Sequence, residues 1–177
     1  VSHAAMDMNL KILNQKFNFP VIFLRPSNFY GPGQKLYRII PKTIFCVLKK
    51  KKLTLDGGGR AVRSFLYADD FSRAVYMCLK SGKIGNVYHI ASDEYVSIKN
   101  LVRKICYKLS VNFNKVVKIG PERISQDRKY ILDTKKIKNS LRWKPQVSLD
   151  KGLDLTISWL IKNIHKYNQK DLNYIHK

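Results

Sequence analysis

Cysteine, acidic residues and long apolar runs are all scarce in this sequence, and each scarcity excludes a class of protein. Only 3 cysteines occur among 177 residues, and no two of them form a CxxC pair. We therefore expect neither a disulfide framework nor a metal site, and free core thiols are typical of a reducing compartment. No apolar run reaches membrane-spanning length, and no signal peptide opens the chain. We expect a soluble cytoplasmic protein with no membrane partner.

The shortage of acidic residues produces a strong positive charge. Only 12 acidic residues stand against 34 basic ones, so the formal net charge is +22. A field of this sign attracts polyanions. The basic residues are scattered, apart from the run Lys49 to Lys52, and no nucleic-acid-binding motif accompanies them. We do not expect nucleic acid as a partner, because an anionic small substrate uses the same field more economically.

The glycine-rich strand-turn-helix fingerprint of dinucleotide-binding folds is also missing. Gly57-Gly58-Gly59 does not substitute for it. This triplet is predicted to join two strands, so it opens no helix whose N-terminus could face a phosphate. The first residue is Val1 inside a predicted helix, which we interpret as a truncated start.

Helical and strand-like patterns alternate along the rest of the chain. Apolar residues recur at helical spacing over 2–17, and a continuous apolar run at 21–24 is typical of a buried parallel strand. A loop is predicted from Arg25 to Gln34, and Asp69 and Ser97 are predicted to cap helices. Further strands are predicted at 53–55, 64–67, 87–90 and 116–119, and the last helices near 134–141 and 149–165. The alternation predicts an α/β fold, followed by a polar tail that frays.

Four blocks of the sequence share their order and spacing with one known family. The segment 1–5 resembles the end of a YxxxK helix, and Arg25 to Pro32 resembles an RxxNxYGP loop. The segment 62–70, VRSFLYADD, resembles a third motif, and 133–145 with the residues up to Trp159 resembles a C-terminal signature. Together they resemble the NAD-dependent epimerases and dehydratases, extended short-chain dehydrogenases that act on nucleotide sugars.

The resemblance implies a domain organisation. The chain would be the C-terminal part of a Rossmann-like NAD(P)-binding fold plus a small α/β substrate-binding domain, with the N-terminal cofactor half missing. Residues 1–50 would end the Rossmann-like core, 51–165 would be mainly substrate-binding with some core elements, and 166–177 would be the polar tail. The full-length protein would form a homodimer.

The resemblance also implies a catalytic pair. In such enzymes a tyrosine takes the proton of a sugar hydroxyl as hydride moves to NAD, and a lysine four residues later holds the nicotinamide ribose. That tyrosine would lie two residues before Val1, and His3 occupies the lysine position, which departs from the family pattern. His3 could hydrogen-bond the ribose or serve as the cation. The alternative is an ordinary helix histidine in an altered homologue.

Further site residues follow from the same resemblance. Pro26 and Ser27 are expected beside the nicotinamide, and Asn28 is expected to give its side-chain amide to the phosphate or sugar of the substrate. His89 occupies a position that asparagine often holds near the base or ribose.

Three arginines on separate segments complete the predicted site. The resemblance places basic residues at these three positions and implies that Arg38, Arg63 and Arg128 hold the diphosphate of a nucleoside-diphosphate sugar. Guanidinium groups bind phosphate oxygens in pairs, which an ammonium group does not.

The implied function is an NAD-dependent nucleotide-sugar 4,6-dehydratase with dTDP-glucose as the favoured substrate. Such an enzyme oxidises C4, loses water across C5–C6 and returns the hydride. One alternative is a nucleotide-sugar 4-epimerase. Another is a catalytically inactive basic binding protein on the same fold. The fragment alone is expected to be inactive and to bind no NAD.

Overall fold

The structure, a computed structural model, describes residues 2–122 and 127–173. Helices alternate with short strands, so the predicted α/β class is confirmed. The helices are α1 (Ser2–Phe17), α2 (Ile39–Leu48), α3 (Ala68–Ser81), α4 (Ile98–Lys108), α5 (Phe113–Val116), α6 (Lys135–Leu141) and α7 (Leu149–Asn163). The strands are β1 (Phe23–Pro26), β2 (Asn28–Tyr30), β3 (Leu53–Asp56), β4 (Val62–Tyr67), β5 (Val87–Ile90), β6 (Tyr95–Ser97) and β7 (Val117–Gly120).

The strands form three small sheets. β1 pairs in parallel with β5, and β3 pairs in parallel with β7. β2 pairs in parallel with β4, whose first half also pairs antiparallel with β6. Parallel neighbours require crossover connections, which the intervening helices supply. The buried parallel strand predicted at 21–24 is β1, shifted by two residues toward the C-terminus.

Several local predictions need correction. The segment from Arg25 to Gln34 is not wholly a loop, because β1 ends in it and β2 forms within it. Asp69 does not cap α3: the N-cap is Tyr67, and Asp69 lies in the first helical turn, where its charge still suits the helix dipole. Ser97 caps α4 as predicted, since its side chain accepts from the backbone N–H of Asn100.

The largest buried cluster joins α2, β4, α4 and α7 around the side chain of Tyr30. The Tyr30 hydroxyl donates to the carbonyl of Leu149 over 3.2 Å. Gly152 makes this approach possible, because a Cβ there would collide with the Tyr30 hydroxyl and meet the Tyr67 ring at 2.9 Å. Burial raises the pKa of Tyr30 above its ordinary value. The hydroxyl therefore stays protonated as a donor.

A buried carboxylate connects α3 to the segment before α7. Asp70 is fully buried and accepts from Arg73 over 2.6 Å and from the backbone N–H groups of Gln146 and Val147. The indole of Trp143 donates to the Asp70 carbonyl over 3.2 Å. Because both carboxylate oxygens accept hydrogen bonds from groups of the protein, Asp70 serves as a structural anchor.

The first helix is accessible to solvent, whereas the C-terminal tail packs against the core. None of the residues of α1 is buried, although apolar residues recur along it at helical spacing. The tail, in contrast, does not fray over its described part, since Tyr167 and Leu172 pack against the large cluster. Within residues 2–122 and 127–173 no helix is long and apolar enough to cross a membrane.

Candidate functional site

A groove of about 890 Å³ opens between β2, the start of α2, β3 and β4. Asn28, Arg38 and Arg63, each predicted to bind substrate, line this groove. They lie far apart in the sequence, and their convergence is a property of the fold. Their roles stay predictions, because a groove alone does not identify a ligand.

Strand pairing explains why Asn28 and Arg63 meet. Asn28 is opposite Phe65 in the parallel register of β2 and β4. Arg63 is two residues before Phe65 on β4, and side chains two apart on a strand point to the same face. Arg63 is therefore a diagonal neighbour of Asn28 across the ladder.

The start of α2 supplies the opposite wall. Arg38 is the N-cap residue, and its guanidinium carbon lies 5.3 Å from the centroid of the Tyr37 ring. Lys35 and Lys42 also line the groove, and sequence reasoning missed both. The four-residue spacing of Arg38 and Lys42 was an available signal, because such residues share one helix face.

The groove is predominantly basic. Among the residues that line it, Lys35, Arg38, Lys42 and Arg63 are cationic, and Asp56 is acidic. A concave surface with an excess of one sign raises the local concentration of ligands of the opposite sign. The groove thus suits a ligand that carries two or more negative charges, such as a nucleoside diphosphate.

Arg128 lies beside the groove and does not line it. It borders a smaller cavity of about 170 Å³ together with Asp127 and Arg60. Asp56 and Ala61 border both spaces, so the two are adjacent. The structure therefore brings Arg128 to the rim of the groove.

His89 lies in a different sheet from Asn28 and Arg63. It is a half-buried residue of β5, aligned with Arg25 of β1, and it does not line the groove. The contact predicted between His89 and a base or ribose has no support from the groove and stays a prediction.

Pro26 and Ser27 lie at the carboxyl end of β1. The Ser27 N–H donates to the Ile90 carbonyl over 2.8 Å, and its hydroxyl lies 3.5 Å from that of Ser64. Ser64 in turn donates to the Ser92 carbonyl over 3.0 Å. Ligands of open α/β folds bind beyond the carboxyl ends of parallel strands, so both residues lie where a cofactor edge is expected.

His3 lies in the first turn of α1 and is exposed. No residue of α1 lines the groove. An ion pair of 2.6 Å between Asp7 and Arg25 connects this helix to β1. The structure thus does not bring His3 together with the arginines or with Asn28.

The glycine triplet has a packing role. Gly57–Gly59 forms a 3-10 turn between β3 and β4 and opens no α-helix, as predicted. Gly59 has a φ of +71°, and a Cβ there would meet the Lys99 backbone nitrogen at 2.9 Å. The turn faces the start of α4. Among the described residues, no cluster of three or more His, Cys, Asp or Glu side chains could hold a metal ion.

A model of the "NAD dependent epimerase/dehydratase family" matches residues 1–91, which is half of the chain. The chain belongs to the NAD-dependent epimerase/dehydratase family. The resemblance inferred from the four motifs is thereby confirmed.

Curated relatives and solved structures agree with this assignment. Human dTDP-D-glucose 4,6-dehydratase is 30% identical over 171 residues, which are 94% of this chain and 49% of that enzyme. The crystal structure of DesIV, a dTDP-glucose 4,6-dehydratase from Streptomyces venezuelae with NAD bound, has a TM-score of 0.89 at 29% identity, covering 93% of this chain and 51% of its own. A UDP-glucose 4-epimerase from Thermotoga maritima, solved with UDP-glucose, has a TM-score of 0.85 at 27% identity, covering 91% and 52%.

Those shares also show how much of a relative this chain represents. The chain spans between 24% and 49% of the length of the curated relatives it matches. It matches about half of each of the two solved structures.

Proposed function

We propose that this chain is the C-terminal, substrate-binding part of an NAD-dependent nucleotide-sugar 4,6-dehydratase that acts on dTDP-glucose. The observation that carries the proposal is the convergence of Asn28, Arg38 and Arg63 on one basic groove. Dehydratases of this substrate class also match nearly the whole chain at about 30% identity.

In this proposal the groove binds the diphosphate group of the nucleotide sugar. Arg38 and Arg63 hold the diphosphate with paired N–H donors, and Asn28 donates its amide to a phosphate or sugar oxygen. Arg128 contributes from the rim. The hexose then points toward the carboxyl end of β1, where Pro26 and Ser27 lie.

The described residues could contact the nicotinamide and its ribose but not the diphosphate of NAD. Pro26 and Ser27 offer a strand-end edge to the nicotinamide, and His3 is proposed for the ribose. No glycine-rich turn that opens a helix occurs in the described ranges, so these residues do not form a diphosphate cradle for NAD. In the full-length protein NAD would supply a reversible hydride acceptor for C4 of the sugar. The present chain's share is to bind and orient the sugar.

A nucleotide-sugar 4-epimerase is the second candidate. The similarity to the UDP-glucose 4-epimerase from Thermotoga maritima favours it. Both reactions oxidise C4 and use the same diphosphate contacts, so the groove suits either. Incubating the full-length protein with dTDP-glucose or UDP-glucose distinguishes them: loss of water indicates the dehydratase, and inversion at C4 with no mass change indicates the epimerase.

The proposed site is tested by Arg63→Ala in the full-length protein. We expect nucleotide-sugar binding to weaken by roughly 10- to 100-fold, because a charge-assisted contact to phosphate is lost, while NAD binding stays within about twofold. Titration calorimetry with each ligand measures both. Arg60→Ala is the matched control, since Arg60 borders the smaller cavity and not the groove. Equal loss of nucleotide-sugar and NAD binding in Arg63→Ala would contradict the assignment.

A further inference from the structure

The segment 127–130 runs beside β4 with little to hold it. All of its residues are exposed, so it is not anchored by buried apolar side chains. One parallel bridge joins Val62 to Lys129. The Val62 N–H donates to the Arg128 carbonyl over 2.8 Å, and the Tyr130 N–H donates to the Val62 carbonyl over 3.4 Å. A segment held by so few bonds opens easily unless side chains add to them.

Arg63 supplies such an addition. One guanidinium nitrogen donates to the Asp127 carbonyl over 2.7 Å, and the other donates to the Val62 carbonyl over 2.8 Å. The Val62 carbonyl thereby accepts from both Arg63 and Tyr130. A guanidinium carries five N–H donors, so these two bonds leave capacity for a ligand in the groove.

We propose that Arg63 is a positioning residue that docks the segment 127–130 onto β4 and so sets the place of Arg128 at the rim of the groove. Arg63 reaches the groove on one side and the first carbonyl of the segment on the other. Two arginines that are 65 positions apart thus act as one unit. The consequence for substrate binding rests on the proposed function, whereas the docking does not.

The docking is tested by amide hydrogen exchange in this chain, observed by NMR. The Val62 and Tyr130 amides report the contact directly, because each donates across it. In Arg63→Lys, which keeps the charge and loses the fork of donors, we expect both amides to exchange about tenfold faster. Arg63→Gln, which shortens the side chain and removes the charge, is expected to give at least as large an acceleration.

Arg60→Lys is the control for the docking, since Arg60 borders the same smaller cavity and both amides should keep their rates. Unchanged Val62 and Tyr130 rates in Arg63→Lys would overturn the proposal. So would an equal acceleration of the Phe23 amide, which bonds to the Asn86 carbonyl beside the separate β1–β5 sheet, because Arg63 would then stabilise the whole fold.

The consequence for binding is tested with dTDP as the probe, by titration of this chain. If Arg63 acts through Arg128, Arg128→Ala should weaken dTDP binding less in the Arg63→Lys background than in the unmodified chain. Full additivity would show that the two arginines act independently. Absence of dTDP binding to the unmodified chain would count against the proposed function, while the amide rates would still decide the docking.

Discussion

Helices α1 and α7 have nearly the same length and opposite environments. α1 has 16 residues and buries none of them, so Met8 and Phe17 are 67% and 74% exposed. α7 has 15 residues and buries six of them, four of which belong to the large cluster. Helices in proteins are stabilised mainly by packing of an apolar face and only weakly by intrinsic propensity. The described chain therefore holds α7 firmly and α1 weakly.

This difference separates two groups of candidate site residues. Asn28 and Arg63 are on strands that pack against the cluster containing α7. His3 is on α1, which the solvent-accessible ion pair of Asp7 and Arg25 connects to β1. The geometry of the groove is thus fixed within this chain, and the position of His3 is not.

The largest difference is expected between Leu153→Ala and Ile12→Ala. Leu153 is completely buried in α7, and its truncation should cost about 2–5 kcal/mol of unfolding free energy. Ile12 is 54% exposed in α1, and its truncation should cost less than about 0.5 kcal/mol. Urea denaturation of each variant measures both values. Similar losses would mean that α1 is packed in solution and would end the comparison.

Gly152→Ala in α7 is expected to lower the free energy of unfolding by less than Leu153→Ala does. A Cβ at this position collides with the Tyr30 hydroxyl, and overpacking costs about 1–3 kcal/mol. Helix propensity alone would favour alanine by about 1 kcal/mol, so the sign of the change distinguishes the two effects.

Lys151→Ala is the neighbouring control for that substitution. Lys151 is exposed on the same helix. The unfolding free energy of the Lys151→Ala variant should differ from that of the unmodified chain by less than about 0.5 kcal/mol. A gain of stability in Gly152→Ala, seen as a higher urea midpoint, would show that Tyr30 does not pack against α7 as described.

The smallest effect concerns the ion pairs between α4 and α7. A hydrogen bond from Lys104 and a weaker one from Lys108 hold the pKa of Asp150 below its usual value of 3.8. A carboxyl group whose pKa is lowered by folding stabilises the protein above the unfolded pKa, and this contribution is lost as pH falls through the folded value. Because the Asp150 side chain is 56% exposed, solvent screening limits the contribution to roughly 0.2–1 kcal/mol at pH 7.

Asp150→Asn should remove that contribution and reduce the loss of stability below about pH 4. Asp69→Asn is the control, since Asp69 is also an exposed carboxylate in the first turn of a helix and lies outside this network. Thermal melts between pH 7 and pH 3 compare the two. Identical pH profiles for both variants would show that the pairs with Lys104 and Lys108 contribute nothing beyond the helix dipole.

Much of the fold could be predicted because its signals are local. The N-cap at Ser97 and the strand at 87–90 depend on residue types within one turn or one pleat, and the structure has both as predicted. β6 and α5 were missed because elements of three or four residues carry too little periodicity to register. The buried anchor Asp70 was missed because its partners lie 76 and 77 positions away.

By itself the sequence determined the α/β class, the family and the identities of the candidate ligands Asn28, Arg38 and Arg63, since these depend on local pattern and motif. Only the tertiary structure decided which candidates meet. The β2–β4 register brings Asn28 to Arg63, the bridge between Val62 and Lys129 places Arg128 at the rim, and the β1–β5 pairing leaves His89 in another sheet. Strand register and helix packing depend on contacts between residues far apart in the chain, so local patterns do not reveal which side chains meet.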